Sequence, residues 1–351
     1  MGLKSIRDKI DAIDSKILKL LNARMEQAII ARKYKDQVMD SNREKEILER
    51  IESDTGELIS PAFCQKLFKD IMSESRKLQE KNYDIIAFQG EHGAYSEMAA
   101  KAWNKELISI PCSSFADVFN GVENGRFEYG IVPVDNTLGG IVGEVNNNLM
   151  HTHLHIVGAI ENPVEHCLLT LPGTNHRDIK KVYSHSQALS QCKNFLERND
   201  LEPVPYYDTA GAAKMLSEER PEGVAVIASK FAAVLYNLEI IKSNIEDSRA
   251  NKTRFVVLSK NKIEKGGEKC SIIFTTEHKA GTLFKVLEIF AKANINLTRI
   301  ESMPKQLLNY AFFLDFLGSD KDEKIQKVLK EVEEHTTDLK FLGCYNERKV
   351  A

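Results

Sequence analysis

Residues 3–35 carry a seven-residue repeat with no glycine or proline to interrupt it, and this limits the fold more than any other feature. The seam runs Leu3, Arg7, Ile10, Asp14, Ile17, Leu21, Arg24, Ala28, Ala31, Lys35. At 1.5 Å per residue the helix would be about 50 Å long. The first 80 or so residues offer little for so long a helix to bury against, so the seam predicts dimerisation lengthwise. Arg7, Arg24 and Lys35 stand where leucine is expected, with Ala28 and Ala31 leaving empty volume between the last two. Cations flanking such a gap suit a small dianion. The alternative is that the long side chains snorkel out of the seam; three cations with alanines between them favour a ligand.

A second helix is expected after Asp40, with Ser41 and Glu44 spaced as a capping box. A third follows Ser60-Pro61, with proline suited to a first helical turn. Its stripe Phe68, Met72, Ser75, Gln79 ends in two hydrogen-bonding groups one turn apart.

Near Asn82 the texture changes. Short apolar runs such as Ile85-Ile86-Ala87-Phe88 and Gly130-Ile131-Val132 alternate with helical patterns, which reads as β/α with parallel strands. Residues 260–269 read as a linker through Gly266-Gly267. Beyond it, strands over 271–275, 296–302, 308–317 and 339–345 and helices over 280–293 and 321–335 give the βαββαβ order of ferredoxin-like folds. Three domains are expected: residues 1–82, helical; 83–262, α/β; and 268–351, α+β.

The central region holds three polar clusters. Gly90 to Ser96 forms a turn between a strand and a helix, a place for an anion at a helix N-terminus. Asp135-Asn136-Thr137 ends a strand before Gly139-Gly140, where open α/β sheets bind ligands. Asn251-Lys252-Thr253-Arg254 feeds a last strand. Each could merely cap an element; three in one domain point to a site. His151, His153 and His155 alternate along a strand pattern with no paired carboxylate motif, and side chains so placed diverge rather than share an ion, so no metal site and no cofactor are expected. The net charge of −3 gives no reason to expect nucleic acid or an anionic membrane. Six cysteines without a C-x-x-C pair, and no leader-like or membrane-length apolar run, place the chain in a cytoplasm.

The pattern Ile6-Arg7-Asp8-Lys9-Ile10-Asp11, then Arg24, Lys35, Asp40, Arg43-Glu44, Ser75 and Gln79, resembles the all-helical chorismate mutases over about residues 3–80. That resemblance implies an intertwined dimer with Arg7 reaching into the other subunit's site. It assigns Arg7, Arg24 and Arg43 to substrate carboxylates, Lys35 and Gln79 to the ether oxygen and Glu44 to the hydroxyl, with Asp40 and Ser75 lining the site. The pericyclic rearrangement needs a held conformer and placed charge, and neither nucleophile nor metal.

Gly90, Gly93, Tyr95-Ser96, Pro133, Asn136-Thr137, Gly140, Tyr183-Ser184-His185, Gln187-Ala188, Gln191-Cys192 and the triplet Thr253-Arg254-Phe255 resemble the prephenate dehydratases. This implies two α/β lobes resembling periplasmic binding proteins, with crossings near Asn162-Pro163 and Arg249. Thr253 is expected to donate to the departing hydroxyl. Ser96, Asp135, Asn136, Thr137 and Thr209 are expected to bind substrate; Arg254 is assigned to a carboxylate or to structure. The family usually has glutamate at the Asp135 position and proline at Ser186. Aspartate retracts the carboxylate by one methylene, which leaves prephenate and arogenate both open as substrate.

Residues 279–284 and 298–304 resemble the ligand segments of dehydratase-linked ACT domains, which pair across a dimer and bind phenylalanine as an inhibitor. Gly281, Thr282, Leu283, Glu301 and Ser302 are the expected contacts, and Met303 replaces the usual arginine. The combined expectation is a bifunctional homodimer or homotetramer of phenylalanine synthesis; a non-catalytic ligand sensor is the competing reading.

Overall fold

The computed structural model describes residues 2–54, 56, 58–262, 266–305 and 309–350. Part of the expected linker, Ile263-Glu264-Lys265, and the start of the strand expected over 308–317 lie outside the described residues. The chain divides into two compact units, Met1–Asp84 and Ile85–Ala351.

The first unit is three helices: α1 (Leu3–Arg32), α2 (Ser41–Asp54) and α3 (Pro61–Glu80). The structure shortens α1 relative to its seven-residue pattern. The amides of Lys33, Tyr34 and Lys35 each bond back three residues, to Ile30, Ala31 and Arg32, so the helix tightens and stops. Lys35 therefore sits in the turn, off the helical seam. Leu3, Ile10 and Ile17 of the seam are about half to two-thirds exposed in the single chain. The α2 start also differs from the expected capping box. Asp40 Oδ1 accepts from the Arg43 N–H at 3.0 Å, so Asp40 caps the helix, and Glu44 pairs with Arg76 of α3. Ser60 caps α3 as its Ser-Pro start suggests, accepting from Phe63 N–H at 3.3 Å.

The second unit opens with β1 (Ile85–Gln89), α4 (Tyr95–Trp103), β2 (Ile108–Cys112), α5 (Phe115–Glu123), β3 (Tyr129–Asn136), β4 (Gly140–Ile141), α6 (Gly143–His151) and β5 (His155–Pro163). The chain then builds a second lobe from β6 (Cys167–Thr170), β7 (Lys181–His185), α7 (Ser186–Gln191), α8 (Lys193–Arg198), β8 (Glu202–Tyr206), α9 (Thr209–Glu219), β9 (Val224–Ala228), α10 (Lys230–Leu235) and β10 (Glu239–Ser243). It returns as β11 (Lys252–Ser259). The two crossings run side by side: Lys252 is registered against Pro163, and Val164 N–H donates to Asn251 at 2.9 Å.

The two sheets are mixed rather than parallel. β1 pairs parallel with β2 and β3, but β11 lies antiparallel between β3 and β5. In the second lobe β7 pairs parallel with β8 and β9, while β6 runs antiparallel to β9 and β10. A strand that returns from another lobe enters the sheet against its neighbours' direction. Ile86, Phe88, Ile131, Ile160, Phe255 and Val257 form the first lobe's core, so these strands read as near-continuous apolar runs.

Next come β12 (Lys269–Thr275), α11 (Thr282–Lys292), β13 (Leu297–Lys305), β14 (Asn309–Leu317), α12 (Glu323–Glu334) and β15 (Asp338–Tyr345). The sheet order β13-β14-β12-β15 is the ferredoxin-like arrangement expected, packed through Phe274, Phe290, Phe316 and Val332. The chain then adds β16 (Glu347–Lys349), parallel to β5 at the edge of the first sheet, a strand that sequence reading did not foresee. Lys340 of β15 points its ammonium at the carbonyls of Leu149 and Met150, 2.9 and 3.3 Å away at the C-terminal end of α6, where a cation is favoured.

Candidate active sites

Between the two lobes of the second unit lies a cavity of about 530 Å³, the size of a small-metabolite site. Ser96, Asn136, Thr209 and Thr253, all expected at a substrate, line it. Tyr95, His166, His185, Gln187, Gln191 and Asp208 line it too, and were not assigned roles from sequence. The signal for Asp208 was available: Asp-Thr ahead of Ala-Gly-Ala-Ala is a helix start, and Asp208 caps α9 through Ala210 and Gly211 N–H at 2.6 and 3.0 Å. Burial raises the Asp208 pKa, against the pull of those two amides. It is the one carboxyl among the lining residues, and none of them is lysine or arginine.

Five helices begin at this cavity. α5, α7 and α9 are capped by Ser114, His185 and Asp208, whereas α4 and α6 begin at Ala94 and Val142 with no side-chain cap. The uncapped N-termini leave backbone N–H groups and positive dipole ends toward the cavity, which suits an anion. Glycine is required where the walls close in. A side chain at Gly139 would meet Gln187 Nε2 at 1.8 Å, and Gly90, at φ +117°, would meet Asp208 Oδ2 at 2.9 Å.

Thr253 has a fixed polarity. Asn136 Oδ1 accepts from the backbone N–H of Leu138 and Gly139 at 3.0 and 2.7 Å, so its amide nitrogen must face the other way. Three acceptors face that nitrogen's two hydrogens, and the nearer pair are Asn251 Oδ1 at 2.8 Å and Thr253 Oγ1 at 2.9 Å, ahead of the Lys252 carbonyl at 3.1 Å. The threonine oxygen is thereby an acceptor toward the protein, and its own proton is left for whatever fills the cavity.

Three expected substrate contacts are placed elsewhere. Thr137 Oγ1 donates to the Ala250 carbonyl at 2.7 Å and accepts from Lys252 N–H at 2.9 Å, closing the return crossing. Arg254 follows Thr253 on a strand, and successive side chains point to opposite faces, so it turns away from the cavity. It is nine-tenths buried against the ferredoxin-like sheet, donating to Asp315 at 2.7 Å, Glu347 at 2.5 Å and Tyr345 at 2.9 Å. Of the two readings left open by sequence, its surroundings are the structural one. Asp135 is registered opposite Arg254 and shares that face. Its carboxylate lies 3.8 Å from Arg254 and 3.5 Å from Arg299. The methylene absent from Asp135 is therefore absent from an ion cluster, not from the substrate. Burial raises the Asp135 pKa even though Arg299 and Arg254 oppose it.

In the first unit Arg24, Ser75 and Gln79 come together. Arg24 Nη1 donates to Ser75 Oγ at 2.6 Å, and burial lowers the arginine's pKa. Gln79 is buried and its Oε1 has no hydrogen-bond partner, a group left for a ligand. Arg7 is exposed; Lys35 and Asp40 border an open hollow; Arg43 pairs with Glu46 at 2.9 Å. One chain thus gathers only part of the expected set.

In the third sheet, Gly281, Thr282 and Leu283 line a hollow of about 300 Å³ with Tyr310 and Phe312. Gly281 sits at φ +87°, opening α11 from the left-handed region. Glu301 and Ser302 of β13 are not among the residues of that hollow.

A two-lobed cleft with a polarised hydroxyl donor, attached to a ferredoxin-like sheet and carried with a helical unit that brings a partly buried arginine against a buried serine, defines a multifunctional enzyme of small anionic substrates. Family profiles agree segment by segment: chorismate mutase type II over residues 6–80, prephenate dehydratase over 86–263 and the ACT domain over 271–334. A bifunctional chorismate mutase/prephenate dehydratase of Aquifex aeolicus is 36% identical over 98% of this chain and 97% of its own length. Arogenate dehydratase/prephenate dehydratase 2 of Arabidopsis thaliana is 37% identical over 85% of this chain and 80% of its own. Among solved structures, prephenate dehydratase of Arthrobacter aurescens in complex with L-Phe superposes with a TM-score of 0.69 at 26% identity, covering 75% of this chain and 89% of that one. The chain belongs to the bifunctional chorismate mutase/prephenate dehydratase family, and its two activities are those of an isomerase and a carbon–oxygen lyase. Among the described residues no helix is long and apolar enough to cross a membrane.

Proposed function

We propose that the interlobe cavity dehydrates prephenate with the Thr253 hydroxyl as donor to the leaving group. The observation carrying this is the bond from Asn136 Nδ2, which leaves the threonine proton free. Loss of the ring carboxylate as CO2 sends its bonding pair into the ring, and the opposite C–O bond breaks as the ring becomes aromatic. The departing oxygen takes a proton and leaves as water. Asp208, whose burial favours its protonated form, is the carboxyl in the cavity that can resupply that proton. The substrate carboxylates are received by the uncapped N-termini of α4 and α6, with Ser96 and Thr209 beside them.

In the first unit, Arg24, Arg43 and an Arg7 from a second copy bind the chorismate carboxylates. Lys35 and Gln79 face the breaking ether bond, Glu44 the hydroxyl, and Asp40 and Ser75 complete the lining. The exposed α1 seam and the exposed Arg7 support assembly as a homodimer or homotetramer. Phenylalanine is read as an inhibitor held by Gly281, Thr282 and Leu283 of one copy with Glu301 and Ser302 of another; the L-Phe complex of the Arthrobacter aurescens relative supports this. Arogenate is a second reading, because Asp208 offers its ammonium a partner among the lining residues.

The test is to supply chorismate, prephenate or arogenate to the wild type and to Thr253→Ala, following phenylpyruvate or phenylalanine with and without added phenylalanine. A general acid or donor is worth about 10²–10⁴-fold, so Thr253→Ala should lose about that much dehydratase kcat and keep the mutase rate. A Thr253→Ala enzyme that dehydrates at the wild-type rate would remove Thr253 from the chemistry.

A further inference from the structure

The bond from Asn136 to Thr253 is the last link of a longer chain of side chains. Asn136 Nδ2 also meets Asn251 Oδ1 at 2.8 Å. Asn251 Nδ2 donates to Gln191 Oε1 at 2.9 Å, and the same oxygen lies 2.9 Å from His166 Nε2. The Tyr95 hydroxyl lies 3.0 Å from His166 Nδ1 and 2.5 Å from the Glu165 carbonyl, two acceptors that compete for its single proton.

The direction of this chain is dictated at one end. The backbone N–H groups of Leu138 and Gly139 can only donate, so Asn136 must turn its oxygen to them and its nitrogen to Thr253 and Asn251. Asn251 must answer with its oxygen, which turns its nitrogen to Gln191. Gln191 must then present its oxygen, which has no proton. His166 faces that oxygen and so carries hydrogen on Nε2. Two backbone amides thus set the tautomer of a histidine four side chains away. The ring is 2% exposed, and burial lowers its pKa against the bond to Gln191 and the charge of Glu246, so a neutral ring fits this role.

The chain also crosses between lobes twice. Tyr95, Asn136 and Thr253 belong to the first lobe, His166 and Gln191 to the second, and Asn251 to the return crossing. The Tyr95–His166 contact joins the first lobe to the second, and the Asn251–Gln191 bond joins the return crossing to it.

We propose that His166 and Asn251 are positioning residues for dehydration: the two backbone amides set which way Asn136 points, and the path through Gln191 and Asn251 fixes where its amide nitrogen, and with it the Thr253 hydroxyl, sits against the departing group. This rests on the reading of Thr253 as the donor.

The experiment measures dehydratase kcat and KM for prephenate in Thr253→Ala, His166→Leu, His166→Gln, Asn251→Asp and the His166→Leu/Asn251→Asp double variant, with the mutase rate of the same samples as reference. Misplacing a reacting group by about 1 Å costs on the order of 10²-fold. His166→Leu and Asn251→Asp should each lower kcat about 10- to 100-fold with KM within about twofold. His166→Gln, whose amide nitrogen can replace the Nε2 donor, should recover most of the rate. The double variant should be no worse than the poorer single, because both act through one path. Should His166→Leu misfold, the contrast between His166→Gln and Asn251→Asp carries the test. Unchanged kcat in His166→Leu or Asn251→Asp beside an inactive Thr253→Ala would overturn the inference and leave the donor reading standing. A raised KM at constant kcat, or penalties that multiply in the double variant, would make His166 a direct substrate contact and overturn it as well. An active Thr253→Ala would remove both readings together.

Discussion

Replacing Arg254 by methionine separates its two expected roles, because a carboxylate ligand and a buried structural cation fail in different ways. Arg254 faces Asp315, which is fully buried, at 2.7 Å and Glu347 at 2.5 Å. In Arg254→Met, Glu347 keeps Lys269 at 2.8 Å, so little is lost there. Asp315 keeps the Ser271 hydroxyl and has Arg299 registered opposite it, but loses the guanidinium bonded to it, and that loss is the main cost. Removing one partner of a buried pair costs about 3–5 kcal/mol. For a unit of this size that is a Tm lower by roughly 6–20 °C. The cluster balances Arg254, Arg299 and Lys269 against Asp135, Asp315 and Glu347. Arg254→Met with Asp315→Leu leaves two cations facing two carboxylates, so the double variant should regain most of the loss. The assays are scanning calorimetry for Tm and, at 20 °C, the dehydratase KM for prephenate, which should stay within about twofold because Arg254 does not line the cavity. A KM raised tenfold or more with stability within about 1 kcal/mol of wild type would refute this reasoning and return Arg254 to the substrate.

Asp135→Glu extends the carboxylate by one methylene toward Arg299, whose three guanidinium nitrogens have no hydrogen-bond partner and whose Cζ lies 4.6 Å from the Phe313 ring centroid. It should raise stability by about 1 kcal/mol, read as a higher Tm, and a lower Tm would count against the ion-cluster account. Glu347 is pushed up by burial but pulled further down by Arg254 and Lys269, so its folded pKa lies below the ordinary value of about 4.3. A depressed carboxyl contributes stability that is complete above the unfolded pKa and lost as pH falls through the folded one. The Tm gap between wild type and Glu347→Gln should therefore be widest near neutrality and close as pH falls below about 4. A gap that stays constant down to pH 3 would contradict it.

The sequence alone determined what depends on local periodicity and turn chemistry. The helical start, the α/β texture, the βαββαβ order and the Ser60-Pro61 helix start were legible because each needs only neighbours within a few residues. So were Ser96, Asn136 and Thr253 as cavity residues, since strand ends and helix starts meet at such clefts, while Thr209 was reached through the family resemblance. Tertiary structure decided the rest. The polar run Asp135 to Thr137 and the pair Thr253-Arg254 looked alike on paper, yet register and alternation sent Asn136 and Thr253 to the cavity, Asp135 and Arg254 to the opposite face, and Thr137 to the crossing. The return of β11 against its neighbours, the extra strand β16 and the path from His166 to Thr253 all depend on contacts between residues far apart in the chain. Periodicity tells each residue which side of its own element it occupies; only packing determines what that side meets.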